Sequence, residues 1–309
     1  MATATGTATS YLDLLNQLRA FLTGTSMGTS AWTELGTVSS GGAFTGVDGN
    51  AYTSQFESYL KAPGLSGSES IYLNLRAYSS ATLVVDNIEI QAAQGYSAGA
   101  GYVNQPYTSP GTYLPLWTSS IPYWFIANGQ RCIVIAQVGT VYESAYFGKF
   151  LPYATSAQYA YPVVVSGSGK VPSLNYTSTD ATSHSMFCDP VDMQLCYVDN
   201  SWQTVNNQIN GTAQNSVWPF QIQYGAGAIA YQPSWCYPDV DGGYPLLPSI
   251  ISTGGTPASN VLGELDGVFW VPGNGQSSGS TITISGTTYT VFQSAFETGV
   301  NNFFAVAMV

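Results

Sequence analysis

The sequence predicts a mainly β protein, with β-sandwich-like sheets, long loops and one N-terminal amphipathic helix. Short runs of β-branched and aromatic residues, many alternating with period two, recur along the chain between Gly, Pro and Asn breaks. Helical periodicity is convincing only once. The composition is that of a folded chain with a neutral surface: 45% of the 309 residues are hydrophobic and 14% aromatic, while 7% are charged, against about 25% in an ordinary soluble domain. At about 150 residues per domain, this length allows two domains or one long all-β domain.

Taken in order, Met1 to Thr9 reads as an Ala/Thr-rich leader. From Ser10 to Thr23, Leu12, Leu15, Leu18 and Leu22 recur three or four apart, and Tyr11 and Phe21 widen the stripe. Ser10 with Asp13 makes a capping box, and Gly24 stops the helix. A Gly/Ser/Thr loop is expected from Thr23 to Gly49, a tether that lets the helix dock on its own body or on a neighbouring subunit. Strands are expected at Ile71 to Tyr78 and Thr82 to Gln91, joined at Ser79-Ser80-Ala81. Further strands are expected at Tyr123 to Ala127, Arg131 to Val138, Val141 to Phe147, Tyr161 to Val165, Trp218 to Gln223, Val268 to Val271, Thr281 to Ile284, Thr287 to Phe292 and Phe303 to Met308. Turns fall at Asn128-Gly129, Gly139, Gly167 to Gly169 and Ser285-Gly286. Many short strands with such punctuation argue for packed sheets rather than βαβ units.

Three long stretches, Gln94 to Pro115, Ser173 to Val217 and Tyr231 to Pro257, read as loops. Loops of this length are usually functional or ordered by a partner. Their aromatics (Tyr96, Tyr102, Tyr107, Tyr113 and, just beyond, Trp117; Tyr231, Trp235, Tyr237, Tyr244) would make an exposed monomer sticky, so burial against other copies is expected. Composition shifts near Gly167 to Gly169 and near Gly254-Gly255 divide the chain into four parts. These are a helix and linker (1–50), a β-sandwich body (51–170), a loop-rich insertion or second β region (171–257) and a C-terminal β-hairpin module packing on the body (258–309).

The 17 acidic and 6 basic residues give a net charge of −11. The six cations are scattered, which argues against nucleic acid, whose phosphates need clustered Lys and Arg. No apolar run approaches the roughly 20 residues of a membrane span, and no Lys or Arg precedes Arg19, so no secretory signal is expected. His184 with Cys188, Cys196 and Cys236 matches no familiar zinc spacing, and no metal or other cofactor is expected. A Cys188–Cys196 disulfide closing the Asp189-Pro190 loop is the cysteine pairing to consider. No serine sits in a Gly-x-Ser-x-Gly elbow. Glu143, Asp239, Asp241, Glu264 and Asp266 could be drawn as paired carboxylates, but nothing pairs them, and they read as solvated loop residues. Asp239-Val240-Asp241-Gly242 opens like a calcium loop, yet its twelfth position is Ile250. No catalytic residue is expected.

Several strings carry a resemblance. Trp124 to Arg131 (WFIANGQR), Val141 to Gly148 (VYESAYFG) and Phe150 to Tyr153 (FLPY) resemble a family of uncharacterised virion structural proteins of tailed bacteriophages. Ala8 to Leu15 (ATSYLDLL), Gly263 to Gly273 (GELDGVFWVPG) and Asn301 to Ala305 (NNFFA) are similar to it as well. The resemblance implies a non-enzymatic, tail-associated part of the virion (baseplate, tail tip, collar or fibre attachment), assembled in the host cytoplasm. Its expected partners are copies of itself and neighbouring tail proteins. The low Lys and Arg count departs from that family and tells against a DNA-facing position. Leu12, Leu15, Leu18, Tyr107, Trp117, Trp235 and Tyr237 are the expected assembly contacts, and the Thr281 to Phe292 hairpin is expected to extend a neighbour's sheet. The alternative is a carbohydrate- or receptor-binding module, in which Tyr96, Tyr102, Tyr107 or Trp235 and Tyr237 stack on the sugars of a host surface glycan.

Overall fold

The computed structural model describes residues 1–153, 163–188, 193–197, 200–207, 243–253, 261–300 and 302–308. The protein is mainly β, as the sequence predicts, with one α-helix among the described residues, α1 (Tyr11–Thr23), near the N-terminus. Ser10 caps α1 by accepting the Asp13 N–H at 3.2 Å. Asp13 returns its carboxylate to the Thr9 N–H at 2.8 Å, one residue earlier than a capping box would place it.

Met1 to Thr9 is not a leader. Ala2–Ala8 forms strand β1, paired antiparallel with β8 (Ile121–Ala127) from Ala2↔Ala127 to Ala8↔Ile121. The expected loop from Thr23 to Gly49 also contains strands, β2 (Thr33–Val38) and β3 (Gly42–Thr45). Both pair with β4 (Ala51–Ala62), β3 along its first half and β2 along its second. With β5 (Ile71–Ser80), β6 (Val85–Ala93) and β7 (Thr112–Leu116) they make a six-stranded sheet in the order β2-β4-β5-β6-β7. The β5–β6 turn falls at Ala81 to Val84, not Ser79 to Ala81, because Ser79 and Ser80 still pair with Asp86 and Val85.

The second sheet is larger. Its order begins β1-β8-β9-β10-β12, with β9 Arg131–Val138, β10 Val141–Lys149 and β12 Val163–Gly167. It runs on through β13 (Met193–Cys196), β14 (Trp202–Asn207), β15 (Leu247–Thr253), β16 (Val261–Trp270), β19 (Phe303–Ala307) and β18 (Thr287–Gln293) to β17 (Thr281–Ile284). The two-residue β11 (Leu151–Pro152) pairs with β16. The long stretches read as loops thus supply β7, β13, β14 and β15. The strand expected at Trp218 to Gln223 lies outside the described residues. One sheet takes strands from residues 2–8, 121–207 and 247–307, so the pairing does not follow the four-part division of the chain.

Alternation within the strands builds two cores on opposite faces of β8–β10. Phe125, Cys132, Val134 and Phe147 pack with Leu73, Leu75, Ile88 and Ile90 of the smaller sheet, and α1 adds Leu14, Leu15, Leu18 and Leu22 to this layer. Ile126, Ile133, Ile135 and Tyr146 face the other way, onto Phe187, Trp270, Phe292 and Phe304. Trp124 of β8 meets Phe292 of β18 with ring centroids 5.1 Å apart. The large sheet therefore folds back over itself, and its central strands are apolar on both faces. This is why β9 reads as a nearly unbroken hydrophobic run.

The two sheets touch directly at Gly167 to Gly169, where the composition suggested a boundary. The Gly169 N–H donates to the Tyr113 carbonyl at 2.8 Å and the Tyr113 N–H to the Gly169 carbonyl at 3.1 Å. A Cβ on Gly167 would lie 2.2 Å from the Tyr113 carbonyl oxygen, so only glycine permits this approach.

Candidate binding groove

The smaller sheet has one apolar face and one polar face, because its strands alternate. Leu73 and Leu75 of β5, with Ile88 and Ile90 of β6, point into the core; their neighbours Asn74, Arg76, Glu89 and Gln91 take the opposite side. Strand register aligns them. Glu57 of β4 stands opposite Arg76, and Arg76 opposite Glu89; one step along, Tyr59 stands opposite Asn74, and Asn74 opposite Gln91. All these polar residues are buried, because residues 94–111 fold over them. Tyr102 places its hydroxyl 3.1 Å from the Asn74 carbonyl and 3.0 Å from that of Glu89. Gln105 fixes the loop, accepting from Ser97 N and donating to the carbonyls of Ser97 and Gly101.

Between this loop and β2 lies a groove of about 540 Å³, lined among others by Glu57, Tyr59, Arg76, Tyr96, Tyr102 and Val103. Its charges are rigidly held. The Arg76 guanidinium sits between the rings of Phe44 and Tyr102, 3.6 and 4.3 Å from their centroids, and its Nε donates to Glu89 at 3.0 Å. Its Nη2 also donates to Glu89. Burial alone would pull the Arg76 pKa down; the adjacent Glu89 carboxylate outweighs it and holds the pKa up, so Arg76 stays charged. Burial likewise pushes the Glu89 carboxyl up, against the pull of Arg76. Glu57 accepts hydrogen bonds from Ser54 at 3.1 Å and from the Tyr59 hydroxyl at 2.8 Å. Burial, with the Glu57 carboxylate beside it, raises the Tyr59 pKa and keeps that hydroxyl a donor. Tyr59 and Tyr96 form an aromatic wall with centroids 5.5 Å apart. The Tyr96 hydroxyl lies where Gly36 has no side chain.

A second polar cluster is sealed inside the protein. His184 and Glu143 are both fully buried, with Nε2 2.9 and 3.0 Å from the two Glu143 oxygens. Nδ1 lies 2.8 Å from the Ser178 carbonyl, an acceptor only, so both ring nitrogens have acceptor partners and the geometry suits the imidazolium. Ser168 donates to the same carboxylate. Burial pulls the His184 pKa down, and Glu143 reverses this to a net rise. Glu143 is thus not a solvated loop residue. Nor are Glu264 and Asp266, which lie on β16; Asp266 pairs with the buried Arg131 at 2.9 Å. Asp239 and Asp241 lie outside the described residues.

Of the expected assembly residues, Leu15 and Leu18 are buried in the protein's own core, and Leu12 packs partly against it. The helix docks on its own body. Trp117 is half-buried against Tyr176, with centroids 5.3 Å apart. Tyr107 is exposed at a left-handed φ of 50°, and its carbonyl accepts from Trp202 Nε1 at 2.7 Å. Trp235 and Tyr237 lie outside the described residues. Within the first long loop, Tyr102 and Tyr113 turn inward and are buried without any second copy. Cys196 is buried on β13, its Sγ 3.0 Å from Gln94 Nε2; the side chain of Cys188 is outside the described residues, and so is their pairing. Among the described residues no group of three or more His, Cys, Asp or Glu is placed to hold a metal ion, and no helix is long and apolar enough to cross a membrane. No protein-family model and no curated protein matches the chain.

Proposed function

We propose that this chain is a non-enzymatic structural component of a tailed-phage virion, tail-associated, working through packing against copies of itself and neighbouring tail proteins. The supporting observation is the pair of unguarded edges on the large sheet. β1 (ATATGTA) and β17 (TITI) each pair on one side only among the described residues. Neither holds a charged residue, a proline or a bulge, the usual devices that stop an edge from recruiting another strand. Their outward side chains, Thr3, Thr5 and Thr7 on β1 and Thr281 and Thr283 on β17, are exposed. An edge of one copy against the other edge of the next is a head-to-tail contact, which closes into a ring when the rotation permits. A ring suits a collar, a baseplate or a fibre attachment. The resemblance of the WFIANGQR and VYESAYFG strings supports the tail assignment.

Immunogold electron microscopy of intact particles, with antibody raised against this chain, tests the reading. Label at one defined point of the tail is the expected result. Unlabelled particles from which the protein is also missing by mass spectrometry overturn it.

A further inference from the structure

The groove carries an inference independent of the assembly reading: we propose that it is a binding site for a neutral saccharide. Its volume of about 540 Å³ lies within the range of small-molecule sites, about 300–1,000 Å³. The lining combines an aromatic wall, Tyr59 and Tyr96, with one acceptor, the Glu57 carboxylate, and one donor, the Arg76 guanidinium. Glu57 uses two of its roughly four lone-pair positions on Ser54 and Tyr59. Arg76 spends Nε and Nη2 on Glu89, and no hydrogen bond among the described residues uses its Nη1. Glu57 and Arg76 both line the groove, so an acceptor and a donor border the same space.

This pairing selects the ligand class. A hydroxyl both donates and accepts, so a polyhydroxylated ring satisfies carboxylate and guanidinium together while its C–H face lies on a tyrosine. A cation would use Glu57 but meet Arg76. An anion would use Arg76 but meet Glu57 and Glu89, which give the three charges a net value of −1. The groove is also preorganised. Arg76 is clamped by two rings and a carboxylate, and Gln105 ties down the overlying loop, so little ordering cost remains at binding.

A glycan microarray probed with the full chain, followed by calorimetry with the highest-scoring neutral oligosaccharide, tests the site. The expected result is binding of neutral glycans that weakens at least about tenfold in both Tyr96→Ala and Glu57→Gln. Val103→Trp supplies a check that does not touch the polar network. Val103 is exposed at the groove wall, so the larger ring blocks entry while leaving the far-ultraviolet circular dichroism and the urea midpoint unchanged. Absence of any binding to neutral glycans at millimolar concentration overturns the proposal. So does preference for acidic or cationic probes, or binding that survives Val103→Trp.

Discussion

At the residue scale, the His184–Glu143 pair shows how burial turns a common surface pairing into a structural requirement. A charge removed from water must be matched by fixed partners. Here both ring nitrogens and both carboxylate oxygens are engaged. Because the folded protein raises the His184 pKa above its ordinary 6.5, the stability it contributes is complete below about pH 6.5 and lost as pH climbs through the raised value. The urea midpoint is therefore expected to fall as pH is raised from about 6 to about 9, and His184→Gln is expected to flatten that dependence. The same substitution leaves Glu143 buried without its cation and is expected to cost roughly 3–5 kcal/mol at neutral pH. A slope that persists in the variant would place the titration elsewhere, with Glu297, the next charge acting on the ring, the first group to examine. Nothing in the run Thr182-Ser183-His184-Ser185 signals this role, because the partner comes from β10, 41 residues earlier.

At the element scale, α1 was the most legible part of the sequence, since its stripe, its cap and its stop are all local. The structure adds that its apolar face is spent inside the chain. Leu15→Ala removes a fully buried side chain from the inter-sheet layer and is expected to destabilise by about 2–5 kcal/mol in denaturant titrations, without changing oligomeric state. The hairpin of β17 and β18 was equally legible. Ser285 and Gly286 both take positive φ, 50° and 83°, as a two-residue turn between right-twisted strands requires. β1 and β4 were not legible, for different reasons. β1 packs through Ala2 and Ala4, too small to register as an apolar period. β4 presents Glu57 and Tyr59 to a groove rather than to water, so its sequence lacks a clean apolar alternation and no strand is expected there. The sign of the groove lay in β5 and β6, where Asn74 and Arg76 alternate with leucines, and Glu89 and Gln91 with isoleucines. What no local pattern could supply is the register that lines them up, or the loop that buries them. Gly167 belongs at this scale too: Gly167→Ala places a methyl against the Tyr113 carbonyl and is expected to cost about 1–3 kcal/mol by pushing the sheets apart.

At the scale of the whole molecule, the long aromatic loops suggested a surface completed by other copies. The described part of the first loop is instead completed by its own sheet. Among the described residues the aromatic surface left for partners is thus smaller than the composition implies, and the proposed assembly rests on the sheet edges instead. Assembly is expected to depend on the edges of the large sheet rather than on exposed rings. Thr283→Lys in β17 or Thr5→Lys in β1 places a charge on an edge while leaving both cores intact, and either is expected to shift the protein toward monomer in sedimentation velocity. Tyr107→Ser, which removes an exposed ring, is expected to leave the oligomer unchanged. The opposite pattern would restore the aromatic loops as the contact surface.

The pairing of β1 with β8 has a consequence in time as well as in space. Ala2 meets Ala127, and Trp32 reaches Asn128 across 96 residues. During synthesis, β1 is without its β8 partner until the chain has been extended as far as Ala127. Contacts so distant in sequence make folding slow, since the entropy of closing a long loop is spent before the pairing repays it. Throughout that interval the free strand is available to any other extended segment at hand. Where many copies are made together, as the proposed assembly role would require, the strand that β1 meets first is therefore not fixed by β8 alone.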